Sequence, residues 1–557
     1  MLNKKSLIVL LPFCSAILLW FSYHPANISF LAWIAFVPLL IFIIAKSEEP
    51  GFFKKRFPFV TKPGFRYLLA VYLGGVLFYL AGLYWISYVT FAGVFIIPLF
   101  LSLYWVAFSI ISYFALRHLP AFAAAIGIPC VWVFLEYLRS FVLTGFPWFM
   151  AGHTQYQWLN LIQIADLTGV YGISFLILLV NSVIALVVKD RFKLSLRHIS
   201  LIIIAGILLG VSVMYSKWRL DHLPTRPGPN IGIVQGNIPQ TLKIAAREDE
   251  DLSEENFRKH LLLSYGLLRQ KTHPDLIVWA ETMFPALVWE NRKASLESVT
   301  DIALYLEKPM LVGVLVSVPD DNTELKYVTR DNKTELFNMK LFNSAYYVNP
   351  HGEILGRYDK THLVPVSEYI PLRRIFPFID TLIMTFSQLP YIAELSPGEN
   401  LNPFVLPVTD TATGKVKDYK YGVQICYEAI FPELTRFSAQ RGADFIINIS
   451  NDGWFKHSSE LDQILAISAF RAVENKLGFV RVTNTGVSAM IQPSGKITEL
   501  KNEKGLSKEV EGNWVEPVTI AQQTGSFYTK AGDFFPNACI LFFLLLIILK
   551  LFKILDK

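Results

Sequence analysis

Three residues, each at the end of a short apolar run, are the ones in this sequence whose types could do covalent chemistry together. Glu281 follows Val278-Trp279-Ala280, Lys360 stands within Arg357–Pro365, and Cys426 closes Val423–Cys426 just before Tyr427 and Glu428. Polar groups at strand ends are well placed to converge in a crevice of an α/β sheet. A free thiol titrates near ~8.5, and a neighbouring ammonium lowers that value by stabilising the thiolate. A carboxylate in reach can take the thiol proton and later handle the proton of an attacking amine, while the lysine stabilises a tetrahedral oxyanion. Taken singly, each residue also has a plain structural reading. Cys426 could be a core residue, Glu281 a surface charge before a loop, and Lys360 a turn lysine paired with Asp359.

The other cysteines sharpen the case for Cys426. Cys14, Cys130 and Cys539 lie inside long apolar runs and read as small hydrophobes, which leaves Cys426 without a disulfide partner in the polar part of the chain.

The elements that must position these residues emerge from patterning. Ile231–Gln235, Asp275–Trp279, Met310–Val316, Ser344–Val348, Gly422–Cys426 and Asp444–Ile449 are brief apolar runs bounded by turn residues, and they read as buried strands. Glu254–Gln270 and Ser459–Lys476 have helical length and periodicity. This alternation implies an α/β sandwich of packed layers.

The rest of the chain uses a different solvent. Of 557 residues, 53% are apolar and only 17% charged, and the mean hydropathy is +0.40. Crossing a bilayer takes about 20 predominantly apolar residues. Candidate spans fall at 6–23, 28–45, 67–87, 95–116, 121–138, 169–188, 198–216 and 534–554, giving a multi-span α-helical membrane domain of about eight transmembrane helices. The stretch 87–96 could lie at the interface. No small-x-small cleavage site comes after the first apolar run, so it reads as a retained span. The expected organisation is an N-terminal transmembrane domain over 1–219, a catalytic domain over 220–533 and a C-terminal transmembrane helix over 534–557. Lys4 and Lys5, the cluster from Lys46 to Arg66, Arg117, the cluster from Lys189 to Arg197, and Lys550 with Lys553 all fall on one side of that topology. The positive-inside rule makes that side cytoplasmic and puts 220–533 on the other. The formal charge of +6 therefore encodes topology, and no nucleic-acid partner is expected. No Gly-rich phosphate loop and no His/Cys zinc cluster is present, so no cofactor or metal is expected.

The words around the three residues resemble the nitrilase, or carbon-nitrogen hydrolase, superfamily, and more narrowly its bacterial apolipoprotein N-acyltransferase family. Val234–Gln240 resembles the opening strand. Asn343–Ala345, Tyr358–Pro365 and Ser367–Pro371 resemble the lysine region, and Ile425–Glu428 the nucleophile motif. Asn451–Phe455 and Arg471–Glu474 resemble the family's next helix, and Thr483–Gly486 with Pro493–Gly495 its later turns. Glu136–Arg139, Gly145–Trp148 and Gly169–Gly172 match within the membrane part. The resemblance implies an α-β-β-α sandwich. It implies Glu281 as general base, Lys360 as oxyanion stabiliser and Cys426 as nucleophile, with supporting or substrate-binding roles for Glu368, Tyr427 and Glu428. Glu428 could orient Lys360 or the incoming amine, or form a structural charge pair.

The implied reaction is ping-pong. An acyl chain would pass from a membrane phospholipid to a Cys426 thioester, then to the α-amino group of the N-terminal diacylglyceryl-cysteine of an apolipoprotein. The implied setting is the bacterial inner membrane, with the catalytic domain periplasmic and the chain a monomer. The alternative is a membrane-tethered nitrilase-type amidase; a transporter with an outer sensory domain would predict charges lining a path. Two places depart from the pattern: Lys456 stands where a glycine is usual, and Leu461–Ile464 replaces a Pro-x-Gln-His word. The apolar stretch Ile375–Phe386 reads either as a packed core helix or as an arm dipping into the outer leaflet. Glu136 and Arg139, three apart, read as a structural pair, with head-group contact the lesser alternative.

Overall fold

The computed structural model describes residues 8–49, 62–246, 249–320, 325–330, 333–370, 394–410 and 413–554. The apolar stretch Ile375–Phe386 lies outside the described residues. The chain divides into two compact units, one formed by Met1–His222 with Lys530–Lys557, the other by Leu223–Thr529.

In the first unit, among the described residues, seven helices are long and apolar enough to cross a bilayer: Ser29–Glu48, Gly64–Gly82, Gly93–His118, Ala121–Arg139, Tyr171–Lys189, Leu196–Asp221 and Phe534–Leu551. The expected first span appears as a shorter apolar helix, Ile8–Ser22. Residues around Tyr84–Tyr88 form a short 3-10 turn between two spans. The helix Ser29–Glu48 is interrupted at Phe36, one residue before Val37-Pro38 begin its second half. Apolar surroundings give the freed backbone groups no water, so the fold supplies a side chain. Asn181 Oδ1 accepts from Phe36 N at 2.9 Å and Val37 N at 3.1 Å, and its amide donates to the carbonyls of Ala32 and Ile177.

Glu136 and Arg139 are both buried, at 2% and 3% exposure, but they do not bond to each other. Glu136 Oε1 accepts from Trp132 Nε1 and Ala151 N, whereas Arg139 donates to the Tyr79 hydroxyl and the Phe149 carbonyl. The expected pair is therefore corrected. Each group uses its hydrogen bonds to tie the helix Ala121–Arg139 to different neighbours.

The second unit is an α-β-β-α sandwich. One sheet contains β1 (Thr225–Gln235), β2 (Leu276–Trp279), β3 (Leu287–Trp289), β4 (Met310–Pro319), β5 (Leu325–Arg330), β6 (Lys333–Val348), β7 (Ile354–Asp359) and β14 (Gly512–Ala521), in the order β14-β1-β2-β4-β6-β5 with β3 on β4 and β7 on β6. The other runs β13-β12-β11-β10-β9-β8, from Ile497–Glu499, Ala489–Ile491, Gly478–Thr483, Phe445–Ser450, Val416–Ile425 and Phe404–Thr409. Their facing sides merge into one core, in which Ile233, Val278, Val312 and Val314 of the first sheet join Tyr421, Val423, Ile447 and Ile449 of the second. Helices Glu250–Leu268 and Lys293–Leu306 cover the first sheet through Leu267, Val299 and Ile302. Helices Pro432–Gln440 and Glu460–Asn475 cover the second through Ala439, Leu461, Leu465 and Ala469. Every strand expected from the apolar runs is present, and all six run through this core because continuous apolar runs are buried on both faces.

Candidate active site

Strand register brings the three residues to one end of the sandwich. β9 and β10 are parallel and pair Ile425 with Ile449, so Cys426, the first residue past β9, comes beside Ser450, the last residue of β10. In the first sheet β1, β2 and β4 run parallel, and β2 ends at Trp279, two residues before Glu281. β6 pairs antiparallel with both β4 and β7, setting Asn343 opposite Leu315 and Ser344 opposite Asp359. Lys360, the residue after β7, then donates its backbone N–H to the Asn343 carbonyl at 2.8 Å.

Glu281 is held at both oxygens. Oε1 accepts from Asn343 Nδ2 at 2.7 Å and Oε2 from Asn451 N at 2.8 Å. Its turn continues through Thr282, which has φ +52°. The turn lies so close to β4 that a Cβ added at Gly313 would come within 2.3 Å of the Ala280 carbonyl oxygen. Glycine is needed there for close approach.

Lys360 is 1% exposed, and its ammonium donates to Glu368 Oε1 at 2.8 Å and lies 3.5 Å from Glu281 Oε1. The plain reading of Lys360 as a partner of Asp359 is corrected: Asp359 pairs with Arg357 and accepts from Ser344. Asn343 Nδ2 also reaches Glu368 Oε1 at 3.3 Å, so one amide touches both carboxylates that flank the lysine. Glu368 Oε2 accepts from Val364 N at 2.8 Å, which closes the Val364–Glu368 loop on itself.

Cys426 is not the last residue of a strand, as its apolar run suggests. It opens the 3-10 turn Cys426–Ile430 with φ +54°, a conformation rare for a residue with a side chain. Two sets of hydrogen bonds hold that turn. Glu428, fully buried, accepts from Ile425 N and the Tyr358 hydroxyl at Oε2, and from Thr361 N, Thr361 Oγ1 and His362 N at Oε1. It thus ties the nucleophile turn to the two residues just after Lys360. Its hydrogen bonds are made to neutral donors, not to a cation, so the charge-pair alternative does not apply. Behind the turn, Asn448 Nδ2 donates to the Cys426 carbonyl at 3.3 Å. Arg481, wholly buried, donates to Asn448 Oδ1 and to Asp452 Oδ2. Tyr427 sits among rings, 5.1 Å from Phe431 and 6.0 Å from His362 between centroids.

The electrostatics differ from the simplest expectation in one respect. Burial pushes the Cys426 thiol well up, the Glu281 carboxylate adds to that, and Lys360 only partly opposes it. The resting group is a neutral thiol, because desolvation together with the Glu281 and Asp452 carboxylates outweighs the Lys360 ammonium. For Glu281, burial acts upward but is outweighed by Lys360, Asn343, Lys243 and the Asn451 N–H, so the carboxyl sits below its ordinary value. For Lys360, burial acts downward and is outweighed by Glu368, Glu281 and Cys426, so the ammonium is held above its ordinary value. The site therefore rests as carboxylate, ammonium and thiol. That arrangement can pass the thiol proton to Glu281 on attack while Lys360 faces the developing oxyanion.

Asn343, Asn451, Asn448 and Arg481 were not expected as contributors. Asn343 and Asn451 stand inside motif words, but their roles depend on contacts 62 and 170 residues away from Glu281. Of the two departures, Lys456 has φ +51°, which explains why glycine suits that position. Leu461, Gln463 and Ile464 are buried in the helix Glu460–Asn475, and Asp462 pairs with Lys508.

Residues 15–183 match the apolipoprotein N-acyltransferase N-terminal domain, and residues 230–512 match the carbon-nitrogen hydrolase family. The chain is 33% identical to the apolipoprotein N-acyltransferase of Geobacter metallireducens, over 94% of this chain and 92% of that one. It is 30% identical to the one from Rickettsia typhi, over 85% and 88%. Among solved structures, a branch 10 nitrilase-superfamily member from Saccharomyces cerevisiae matches with 18% identity and a TM-score of 0.34, covering 54% of this chain and 92% of that one. The chain belongs to the apolipoprotein N-acyltransferase family, and its residues 230–512 to the carbon-nitrogen hydrolases.

Proposed function

We propose that this chain transfers an acyl chain from a membrane phospholipid, through a Cys426 thioester, to the α-amino group of an N-terminal diacylglyceryl-cysteine. Glu281 takes the thiol proton as sulfur attacks the ester carbonyl, and Lys360 donates to the oxyanion. Collapse of the tetrahedral adduct breaks the ester C–O bond, and the proton on Glu281 goes to the departing lysophospholipid oxygen. The acceptor amine then attacks the thioester, gives its proton to Glu281, and leaves as an amide while the thiolate is reprotonated. The thioester stores the acyl group, so no nucleotide enters the reaction.

The observation that carries this reading is the cluster of Glu281, Lys360 and Glu368 beside a strained Cys426, in a chain that also carries seven helices able to cross a bilayer among its described residues. Both substrates are lipid-anchored, and confinement to one leaflet raises their effective concentration. Glu281 and Glu368 flank the Lys360 ammonium, and this acidic pair suits an incoming cationic amine and disfavours a free thiolate. Glu368, Tyr427 and Glu428 act in support. Glu428 holds the lysine segment against the nucleophile turn, Glu368 holds the ammonium, and Tyr427 lines the aromatic wall. The distribution of basic loops supports an orientation with residues 220–533 on the side opposite the cytoplasm, which in a bacterial inner membrane is the periplasm, and the proposed acting unit is a single chain.

The test is incubation of the purified full chain with phospholipid vesicles, then mass spectrometry of the Cys426 peptide. An acyl adduct that a diacylglyceryl peptide discharges is the expected result, and Cys426→Ala should abolish both steps. Acylation by a water-soluble amide alone, with none from phospholipid, would overturn the reading in favour of an amidase.

A further inference from the structure

Beside the Glu281 turn lies a short helix, Gln240–Ala245, that has no part in the acyl-transfer chemistry itself. It reaches the turn by two routes, one through Asn451 and one directly. At its start, Gln240 Oε1 accepts from Asn451 Nδ2 at 2.9 Å, and the backbone N–H of the same Asn451 donates to Glu281 Oε2. One turn later, the Lys243 ammonium donates to Thr282 Oγ1 at 2.5 Å and approaches the Glu281 carbonyl oxygen at 3.4 Å. Asn484 locks the approach to this helix, because its side chain bonds both Ile238 N and O and also reaches Asn451 Oδ1.

Thr282 is the strained member of the turn. It is β-branched and sits at φ +52°, a region such residues seldom enter unless the surroundings over-determine them. On one side the turn is wedged against β4 at Gly313, where no Cβ fits. On the other side Lys243 holds the threonine hydroxyl and the glutamate carbonyl together. We propose that Lys243 is a positioning residue for Glu281, acting through the Glu281-Thr282 turn and not by touching either substrate. The proposal rests on the acyl-transfer reading for the identity of the reaction, but not for its geometry.

The charged and titratable groups facing Glu281 are Lys360 and Glu368 from the segment after β7, Cys426 from the turn after β9, and Lys243. Asp452, after β10, faces Cys426. Lys243 is the one cation among them that lies outside the Lys360 cluster. Removing it both frees the turn and takes a positive charge from beside the base, so the carboxyl becomes easier to protonate. The acid limb of any rate that needs ionised Glu281 should then move to higher pH.

The experiment uses the full chain in vesicles of phosphatidylethanolamine and phosphatidylglycerol, comparing parent, Lys243→Met and Lys243→Arg. Two rates are measured across pH: release of p-nitrophenolate as p-nitrophenyl butyrate acylates Cys426, and transfer from phospholipid to a diacylglyceryl peptide. Lys243→Met should slow ester acylation by about tenfold or more, the scale expected when a reacting group is misplaced. Its acid limb should move up in pH, its KM for phospholipid should stay as in the parent, and Lys243→Arg should recover most of the rate. A Lys243→Met profile that superimposes on the parent would overturn the proposal. So would a change confined to the KM for phospholipid, which would make Lys243 a substrate contact. A parent that is acylated by the ester but never transfers from phospholipid would sink the acyl-transfer reading, and the ester profile would still decide the role of Lys243.

Discussion

Lys360 donates to Glu368 at 2.8 Å, a shorter contact than the 3.5 Å between its ammonium and Glu281. The nearer anion is therefore not the proposed base, and Glu368 takes the closer share of the ammonium that would otherwise lower the basicity of Glu281 further. Glu368→Gln would remove that anion, and the ammonium would turn toward Glu281 and lower its basicity. We expect thioester formation to fall by about 100-fold in single-turnover assays, within the range for impaired acid–base catalysis. Unchanged thioester formation would mean that Glu368 serves only the loop it closes at Val364.

Glu428 accepts five hydrogen bonds with two oxygens. A glutamine there must turn its NH₂ toward either Ile425 N or the pair Thr361 N and His362 N, setting donor against donor. Leaving buried backbone N–H groups unpaired costs about 1–3 kcal/mol each. Glu428→Gln should lower thermal stability measurably and reduce acylation of Cys426 more than its effect on folding explains. A variant with parent-like melting and activity would show that the link between the lysine segment and the nucleophile turn is dispensable.

At Gly313 the added methyl of alanine would meet the Ala280 carbonyl, Glu281 Cα and Thr282 N, all backbone atoms that no rotamer change can move. Overpacking of this kind typically costs about 1–3 kcal/mol. Because the displaced atoms carry the base, Gly313→Ala should depress the acylation rate even at temperatures where the protein remains folded, as judged by circular dichroism.

The depressed titration of Glu281 also makes a statement about stability. A group whose folded value lies below its unfolded value of ~4.3 stabilises the fold above that value, and the contribution is lost as pH falls through the folded value. Lys360, shifted upward, contributes fully below its unfolded value of ~10.4 and loses that contribution only at higher pH, so it adds no slope on the acid side. Thermal scans from neutral pH down through the carboxylate range should show parent stability falling more steeply than that of Glu281→Gln. Parallel curves for the two proteins would remove Glu281 from the set of groups with lowered values.

Residue order by itself carried the spans, the strand–helix alternation, and the words that single out Glu281, Lys360 and Cys426. These are local signals: apolar length, periodicity and short motifs are readable within about 20 residues. Tertiary structure decided the rest. Asn181 repairs a broken helix 145 residues away, and Asn343 and Asn451 reach Glu281 from separate sheets, because strand register and packing set those distances. A lysine near a thiol suggests a ready thiolate when only the motif is known. Once Cys426 is set, partly buried, beside Glu281, desolvation and that carboxylate outweigh Lys360, and the thiol keeps its proton until a base removes it.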